Sequence, residues 1–338
     1  MDSMDLNVLS HALAWSESGH RVALATVAET WGSAPRPVGA WLAVREDGQL
    51  VGSVSGGCIE EDLITRMRDD SFPQENAQSV VYGVTKEEAA RFGLPCGGKV
   101  RLVVEPRPDL RLLKELRERI QAKQLAARVL DLKQGSCRLE GATRYDKTSF
   151  DGETLRVIYG PRWRLLIVGA GQLSHYLADI ALSADYEVTV VDPREEFASG
   201  WEKSRVDFIK AMPDDVILQL GVDTHTAIVA LTHDPKIDDM ALLEALKSPA
   251  FYVGALGSRV NTEKRKRRLA QFDLSVEEIE RLHGPTGIYI GSRTPPEMAI
   301  SIMAEITARK NGVPVLQRRE LASDFLADAI QQMNRMTV

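Results

Sequence analysis

Cysteine is scarce in this chain: Cys58, Cys96 and Cys137 are the three among 338 residues. An odd and small number excludes a disulfide framework, and no Cys-x-x-Cys or paired-histidine spacing offers a structural metal site. Long hydrophobic runs are missing too, because no apolar stretch approaches the roughly 20 residues of a membrane-spanning helix. Met1 to Ser10 has no basic region leading into an apolar one, so no membrane role is expected and the protein reads as cytoplasmic. Positive charge has no surplus: 42 Lys and Arg stand against 48 Asp and Glu, a net charge of −6. That balance argues against general nucleic-acid binding. Hydrophobic residues at 44% and charged ones at 27% are ordinary for a globular protein, and the length exceeds one typical domain, so two are expected.

The few cysteines are placed with order. Gly52-Ser53-Val54-Ser55-Gly56-Gly57-Cys58-Ile59-Glu60 and Leu94-Pro95-Cys96-Gly97-Gly98-Lys99 set two of them in paired-glycine turns of mirrored sequence. Glycine has no Cβ, so the backbone at Gly56, Gly57, Gly97 and Gly98 can approach a bound molecule closely. Glu60, Glu61 and Asp62 open a helix behind Cys58, and a helix start attracts negative charge and favours the thiolate of a cysteine placed there. The pattern suits a thiolate beside an anionic ligand; it also suits two buried apolar cysteines at tight turns. Glu60 likewise reads as a partner of Cys58 or as a carboxylate that complements the helix start.

The first hundred residues alternate short elements. A helix is predicted over 6–18, strands near 21–29, 40–45 and 49–54, a helix to about Asp70, a strand near 78–83, a short helix, and a strand over 99–105. Asp47-Gly48 is a strong hairpin signal. Thr30 to Gly39 breaks both helix and strand with its prolines and glycines, and carries Arg36 between two prolines. Residues 108–160 read as a connector, helical to about Lys123 and then hairpin-like around Gln134-Gly135 and Asp151-Gly152. The N-terminal part, 1–107, is expected to be an α+β domain with a mixed sheet.

From Arg164 the pattern becomes α/β. Leu165 to Val168 is a continuous apolar strand of the kind buried on both faces of a parallel sheet. It leads into Gly169-Ala170-Gly171-Gln172-Leu173-Ser174, a helix to about Ala184, and a strand over 187–191 that ends at Asp192. In such a βαβ unit the first glycine makes the tight turn, the second admits a pyrophosphate, and the helix supplies N–H groups, with Gln172 at its start. Asp192 is placed to accept from ribose hydroxyls. Ser174 stands where a third glycine is usual. Further strands near 206–209, 226–231 and 251–255 complete a Rossmann-like, doubly wound parallel sheet over 161–312, followed by an amphipathic tail over 313–338.

Ligands of such sheets bind outside the carboxyl ends of the strands. There lie His233, in Thr232-His233-Asp234-Pro235, and Ser258 and Arg259, which read as phosphate contacts or, for Ser258, as a helix cap. Thr294, Pro295 and Glu297 form a capping box, which leaves Arg293 unexplained beside that helix start. Lys264 to Arg268 is expected to be a solvated helical run.

GSVSGGCIE, LPCGGKVRLVVEP and the Rossmann unit in this order, with Gly32 to Pro37, Leu231 to Asp234, Tyr252 to Arg259 and Ile290 to Pro295, make the chain similar to the XdhC/CoxI family. That resemblance implies an accessory protein of molybdenum hydroxylases such as xanthine dehydrogenase or aldehyde oxidoreductases. Such a protein binds the molybdenum cofactor, as molybdopterin or its cytosine dinucleotide, protects it while an oxo ligand is replaced by sulfur, and inserts it into the apo-hydroxylase. A cysteine desulfurase is the implied sulfur donor and a homodimer the expected assembly. On this reading Cys58 and Cys96 meet molybdenum or sulfur, Glu60 steadies Cys58 or a proton, Arg36 neutralises the anionic cofactor, and Gly169, Gly171, Gln172 and Asp192 hold its nucleotide. It requires the cysteine turns to face the carboxyl edge of the Rossmann sheet. The alternative is an NAD(P)-dependent oxidoreductase with an active-site cysteine.

Overall fold

The computed structural model describes residues 3–32, 36–71, 76–83, 98–143, 145–201 and 205–315. The chain divides into two compact units, Met1–Pro161 and Arg162–Val338.

The first unit is organised by β1 (Val22–Trp31), whose two faces are both covered. Strand periodicity sends Val22 and Leu24 into one core with α1 (Ser3–Glu17), and Ala23, Ala25 and Val27 into another with α2 (Cys58–Arg68). Ala28 continues the alternation on the α1 side, and the pairing with β5 shifts register at a bulge between Val27 and Glu29. With β2 (Trp41–Arg45), β3 (Leu50–Gly52), β4 (Gln78–Tyr82) and β5 (Lys99–Glu105) it forms a sheet of order β3-β2-β1-β5-β4. Every pairing in this sheet is antiparallel, so it is not the mixed sheet expected. The reason is topological: α2 carries the chain from β3 on one edge to β4 on the other, and no two neighbouring strands are joined by such a crossover.

Residues 108–160, read as a connector, share the core of α1. The helix α3 (Leu110–Gln121) precedes an antiparallel sheet of order β7-β6-β9-β8, built from β6 (Ala126–Asp131), β7 (Ser136–Gly141), β8 (Ser149–Phe150) and β9 (Thr154–Tyr159). Leu113, Leu116, Leu130, Leu155 and Tyr159 pack with Leu9, Leu13 and Trp41, and the Tyr159 and Trp41 rings lie 4.4 Å apart. Beneath them Arg128 makes two 2.6 Å hydrogen bonds to Glu105, both residues buried.

The second unit is the doubly wound sheet expected. Its order is β12-β11-β10-β13-β14-β15, from β10 (Arg164–Val168), β11 (Glu187–Val191), β12 (Asp207–Ile209), β13 (Thr226–Ala230), β14 (Tyr252–Ala255) and β15 (Leu282–His283), all pairs parallel. On one face α4 (Gln172–Ser183) and α9 (Pro295–Lys310) bury Leu177, Ala181, Ile302 and Ile306 against Ile167, Val190 and Val229. On the other, α5 (Pro213–Gln219) and α6 (Pro235–Lys247) pack on Leu166, Val168 and Ile228. A helix α7 (Arg259–Leu269) follows β14, and a short helix α8 (Val276–Glu280) precedes β15. Chain order reverses between β10 and β13, which places the switch point of this sheet beside Gly169.

Candidate functional site

In the first unit, alternating strand direction brings three sequence motifs to one edge. The loop after β1 holds Arg36, the turn after β3 leads to Cys58, and the chain enters β5 through Gly98. Trp31 pairs with Lys99 across β1 and β5, and a Cβ on Gly32 would stand 3.4 Å from Gly98 Cα, so these loops touch. Arg36 is half-buried there. Cys96 and Gly97 lie outside the described residues.

Cys58 opens α2 and is exposed, so it is not a buried core thiol. Ile59, Leu63 and Met67 recur every four residues and are buried, which fixes the helix in a phase that leaves Cys58 outside. The turn before it is closed around Glu60. One carboxylate oxygen accepts from Ser53 Oγ at 2.9 Å and from the N–H groups of Val54, Ser55 and Gly56 at 2.8–2.9 Å. The other accepts from Gly57 N at 2.8 Å and from Ser55 Oγ. Burial works against the charge, but these hydroxyl and N–H donors outweigh it and bring the carboxyl down to about 2. The anion that the turn attracts is therefore the protein's own. This anion takes the N–H groups of Val54 to Gly57, while the helix start at Cys58 has no side-chain cap. Glu60 shapes the turn that presents the thiol. Gly52 is required where this turn begins: at φ 95° a Cβ would collide with Trp41 O at 2.3 Å.

The glycine turn of the second unit is built differently. Gly169 has φ 107°, and its missing Cβ admits Thr232, whose backbone would otherwise be 3.0 Å away. Gly171 caps α4 in an extended conformation, φ −75°, and nothing lies within 4 Å of where its Cβ would be. No side chain caps this helix among the described residues, so its first N–H groups point into open space beside the exposed Gln172. Ser174 is fully buried and donates from Oγ to Gly169 O at 2.6 Å, so in the third-glycine position it ties helix to turn.

Asp192 departs from its expected role. It is fully buried, and its oxygens accept from Ala170 N at 2.8 Å and from Arg194 N, Nε and an NH2 group at 2.7–3.0 Å. Burial opposes its charge, yet Arg194 and Ala170 N hold the carboxyl below its ordinary value. It therefore braces the turn instead of offering oxygens to a ribose. The group left half-exposed at that strand end is Arg194, stacked 4.3 Å from the Phe197 ring. Sequence reading passed over Arg194, although its place two residues after the strand-end acid was a usable signal. Trp201 closes the turn from the side: its Nε1 donates to Ala170 O at 3.2 Å and its ring stacks on His175 at 3.9 Å.

Across the switch point His233 is exposed in a left-handed conformation, φ 62°. Asp238, buried in α6, accepts from Thr232 N and Oγ1 and from Arg265, while Arg265 also donates to Leu256 O at 3.0 Å. This chain of bonds fixes the turns after β13 and β14 to each other. It corrects the reading of Lys264 to Arg268 as wholly solvated, because one position in a helical run must face inward and Arg265 finds carboxylates there. Ser258 caps α7 through Asn261 N at 3.2 Å. Arg259 and Arg293 are exposed, and Arg259 makes no hydrogen bond or ion pair to another described residue. Among the described residues no group of three or more His, Cys, Asp or Glu is arranged to hold a metal ion, and no helix is long and apolar enough to cross a membrane.

Comparison with known proteins agrees with this architecture. The chain is 28% identical over 89% of its length to the molybdenum cofactor insertion chaperone PaoD of Escherichia coli, covering 87% of that protein. It is 25% identical over 89% of its length to a probable xanthine dehydrogenase component of Bacillus subtilis, covering 96% of it. A crystal structure of a xanthine dehydrogenase from Bacillus halodurans superposes with a TM-score of 0.70 at 25% identity, over 92% of this chain and 96% of that one. Residues 15–82 match the XdhC and CoxI family and residues 165–306 match the XdhC Rossmann domain, and the chain belongs to the XdhC and CoxI family.

Proposed function

We propose that this protein carries the molybdenum cofactor and delivers it to an apo molybdenum hydroxylase of the xanthine dehydrogenase or aldehyde oxidoreductase type. The observation that carries the reading is the Gly169–Gly171 turn, an uncapped helix start with open space over Gly171 and a guanidinium at the neighbouring strand end. Backbone N–H groups at a helix start, joined by Arg194, suit a phosphate or pyrophosphate, the part that molybdopterin and its cytosine dinucleotide share. The likeness to PaoD over most of both chains supports the choice of cargo.

The exposed Cys58 supplies the second half of the reading. A thiolate is a soft ligand suited to a transition metal or to sulfur, and the nest around Glu60 holds this one outward on a fixed turn. Cys58 guards the metal end of the cargo while sulfur from a cysteine desulfurase replaces an oxo ligand; Arg36 contributes from the same sheet edge, and Cys96 is a second thiol for the same role. The protein acts in maturation, in the cytoplasm and as a homodimer, and is not itself a turnover enzyme.

The test is purification of the full chain from cells able to make the cofactor, with bound pterin and nicotinamide both assayed. Pterin bound by the wild type, transfer that activates an apo-hydroxylase, and loss of the sulfurated form in Cys58→Ala support the reading. NAD(P) bound with turnover and without pterin overturns it in favour of an oxidoreductase.

A further inference from the structure

The second unit holds a cleft of about 420 Å³ that the sequence reading did not anticipate. Its size is that of a small-ligand pocket. It opens at the carboxyl ends of β14 and β15, between the loop over residues 284–293 and α9, with Arg259, Gly287, Tyr289, Ser292, Ser301 and Glu305 among its walls.

Its floor is a closed polar network. Glu305 is 3% exposed and accepts from Tyr252 OH at 2.7 Å and Gly287 N at 2.6 Å, with His283 Nδ1 at 3.0 Å. Tyr252 OH also meets Thr286 Oγ1 at 2.7 Å, and Thr286 N donates to Ala255 O at 3.0 Å. Burial raises the cost of the Glu305 charge, but His283, Tyr252 and Gly287 N together hold the carboxyl below its ordinary value. Ser301 Oγ donates to Ile288 O at 2.5 Å and Arg293 N donates to Glu297 at 2.8 Å, so both ends of the loop are tied to α9. A buried network satisfied in this way keeps a cavity in one shape. The mouth differs from the floor. Arg259 stands there with no hydrogen bond or ion pair to another described residue, and Tyr289 is 55% exposed beside Ile290 at 48%. A cation and an exposed aromatic side chain on the walls of one cleft suit a flat ring with polar edges.

Position adds to the chemistry. β14 and β15 are two and three strands from β10, so at about 4.8 Å per strand the cleft lies roughly 10–14 Å along the carboxyl edge from the Gly169–Gly171 turn. That is the span over which a ligand crossing the switch point of a doubly wound sheet places its second half. We infer that the cleft between β14, β15 and α9 is a second seat on this edge, taking the ring of a ligand whose pyrophosphate or phosphate lies at the glycine turn. The inference rests on the proposed cargo only for the identity of the ring, which is a pterin or a cytosine. Arg259 binds a polar edge of the ring, Tyr289 covers its face, and Glu305 is a positioning residue that fixes the loop.

Calorimetric titration of the full chain with inorganic pyrophosphate, cytidine diphosphate and hydroxymethylpterin diphosphate tests this. At least one ring-bearing probe is expected to bind about tenfold tighter than pyrophosphate, and that probe names the ring. Tyr289→Ala should remove most of the gain without altering pyrophosphate binding, and Arg259→Ala should weaken the ring-bearing probe about tenfold; both residues are exposed, so the fold is not at risk. Ring-bearing probes that bind no tighter than pyrophosphate, or a gain that survives both substitutions, overturn the second seat. The two readings fail separately. Cytidine diphosphate held through Tyr289 by a protein that never carries pterin keeps the cleft and removes the cargo. Pterin carriage that is indifferent to Tyr289→Ala and Arg259→Ala keeps the cargo and removes the cleft.

Discussion

The chain has two glycine turns that each lead a strand into a helix, and they are built differently. At Gly52–Cys58 the converging N–H groups close on Glu60, the third residue of the following helix. At Gly169–Gly171 the acid nearby, Asp192, is buried beside the turn and takes, of the turn's N–H groups, that of Ala170. Both helix starts lack a side-chain cap; the difference lies in the turn before the helix, which Glu60 fills at residues 53–57 and Asp192 only braces at Ala170. The first turn presents a thiol; the second is the seat proposed for a ligand.

The comparison breaks most visibly at Glu60. Glu60→Ala leaves four backbone N–H groups of one turn without their acceptor, and should destabilise the first unit by about 3 kcal/mol or more, read as a lower midpoint in urea unfolding. The acid limb of the wild type carries the same information. A carboxyl depressed to about 2 contributes fully above its ordinary value near 4.5 and loses that contribution as pH falls toward 2. Linkage puts the loss at about 3 kcal/mol, and Glu60→Gln should flatten it; unchanged acid sensitivity would contradict the closed nest. At the second turn, the Cβ of Gly171→Val enters open space and the position needs no positive φ, so stability should hold while pyrophosphate affinity falls about 100-fold in calorimetry. A smaller effect is expected at Ser174, where Ser174→Ala removes one buried bond to Gly169 O for about 1 kcal/mol of thermal stability. Smallest of all, Cys58→Ser should change unfolding by under about 0.5 kcal/mol, since the thiol is exposed, while removing one equivalent from the reaction with a thiol reagent.

Much of this was legible in the sequence, and what was not has a common cause. Strand and helix periods placed β5 at 99–105 and the helix before Gly312, where a Pro-rich start and a glycine end leave little freedom. The Gly169 turn could be read because its function is local to the backbone. Side-chain direction could not. Asp192 has the right spacing for a ribose contact, but its burial depends on Arg194 and Ala170 closing over it. Arg265 looks like its basic neighbours until Asp238 and Asp239 approach from α6. Glu305 lies in an ordinary amphipathic helix, and only the return of the chain through His283 and Gly287 turns it into the floor of a cleft. The segment 317–336, expected as a helix, falls outside the described residues.

The central claim is that the open glycine turn seats the cargo and the closed one does not. Bound pterin per chain, measured side by side in the wild type, Gly171→Val and Gly57→Ala, tests it most directly. The Cβ of each new side chain enters open space, and because Gly57 sits at φ 163° and ψ −92°, the comparison is made with a Gly57→Ala protein that keeps the wild-type unfolding midpoint. The account predicts pterin on the wild type and Gly57→Ala and none on Gly171→Val; pterin retained by Gly171→Val and lost from Gly57→Ala would contradict it.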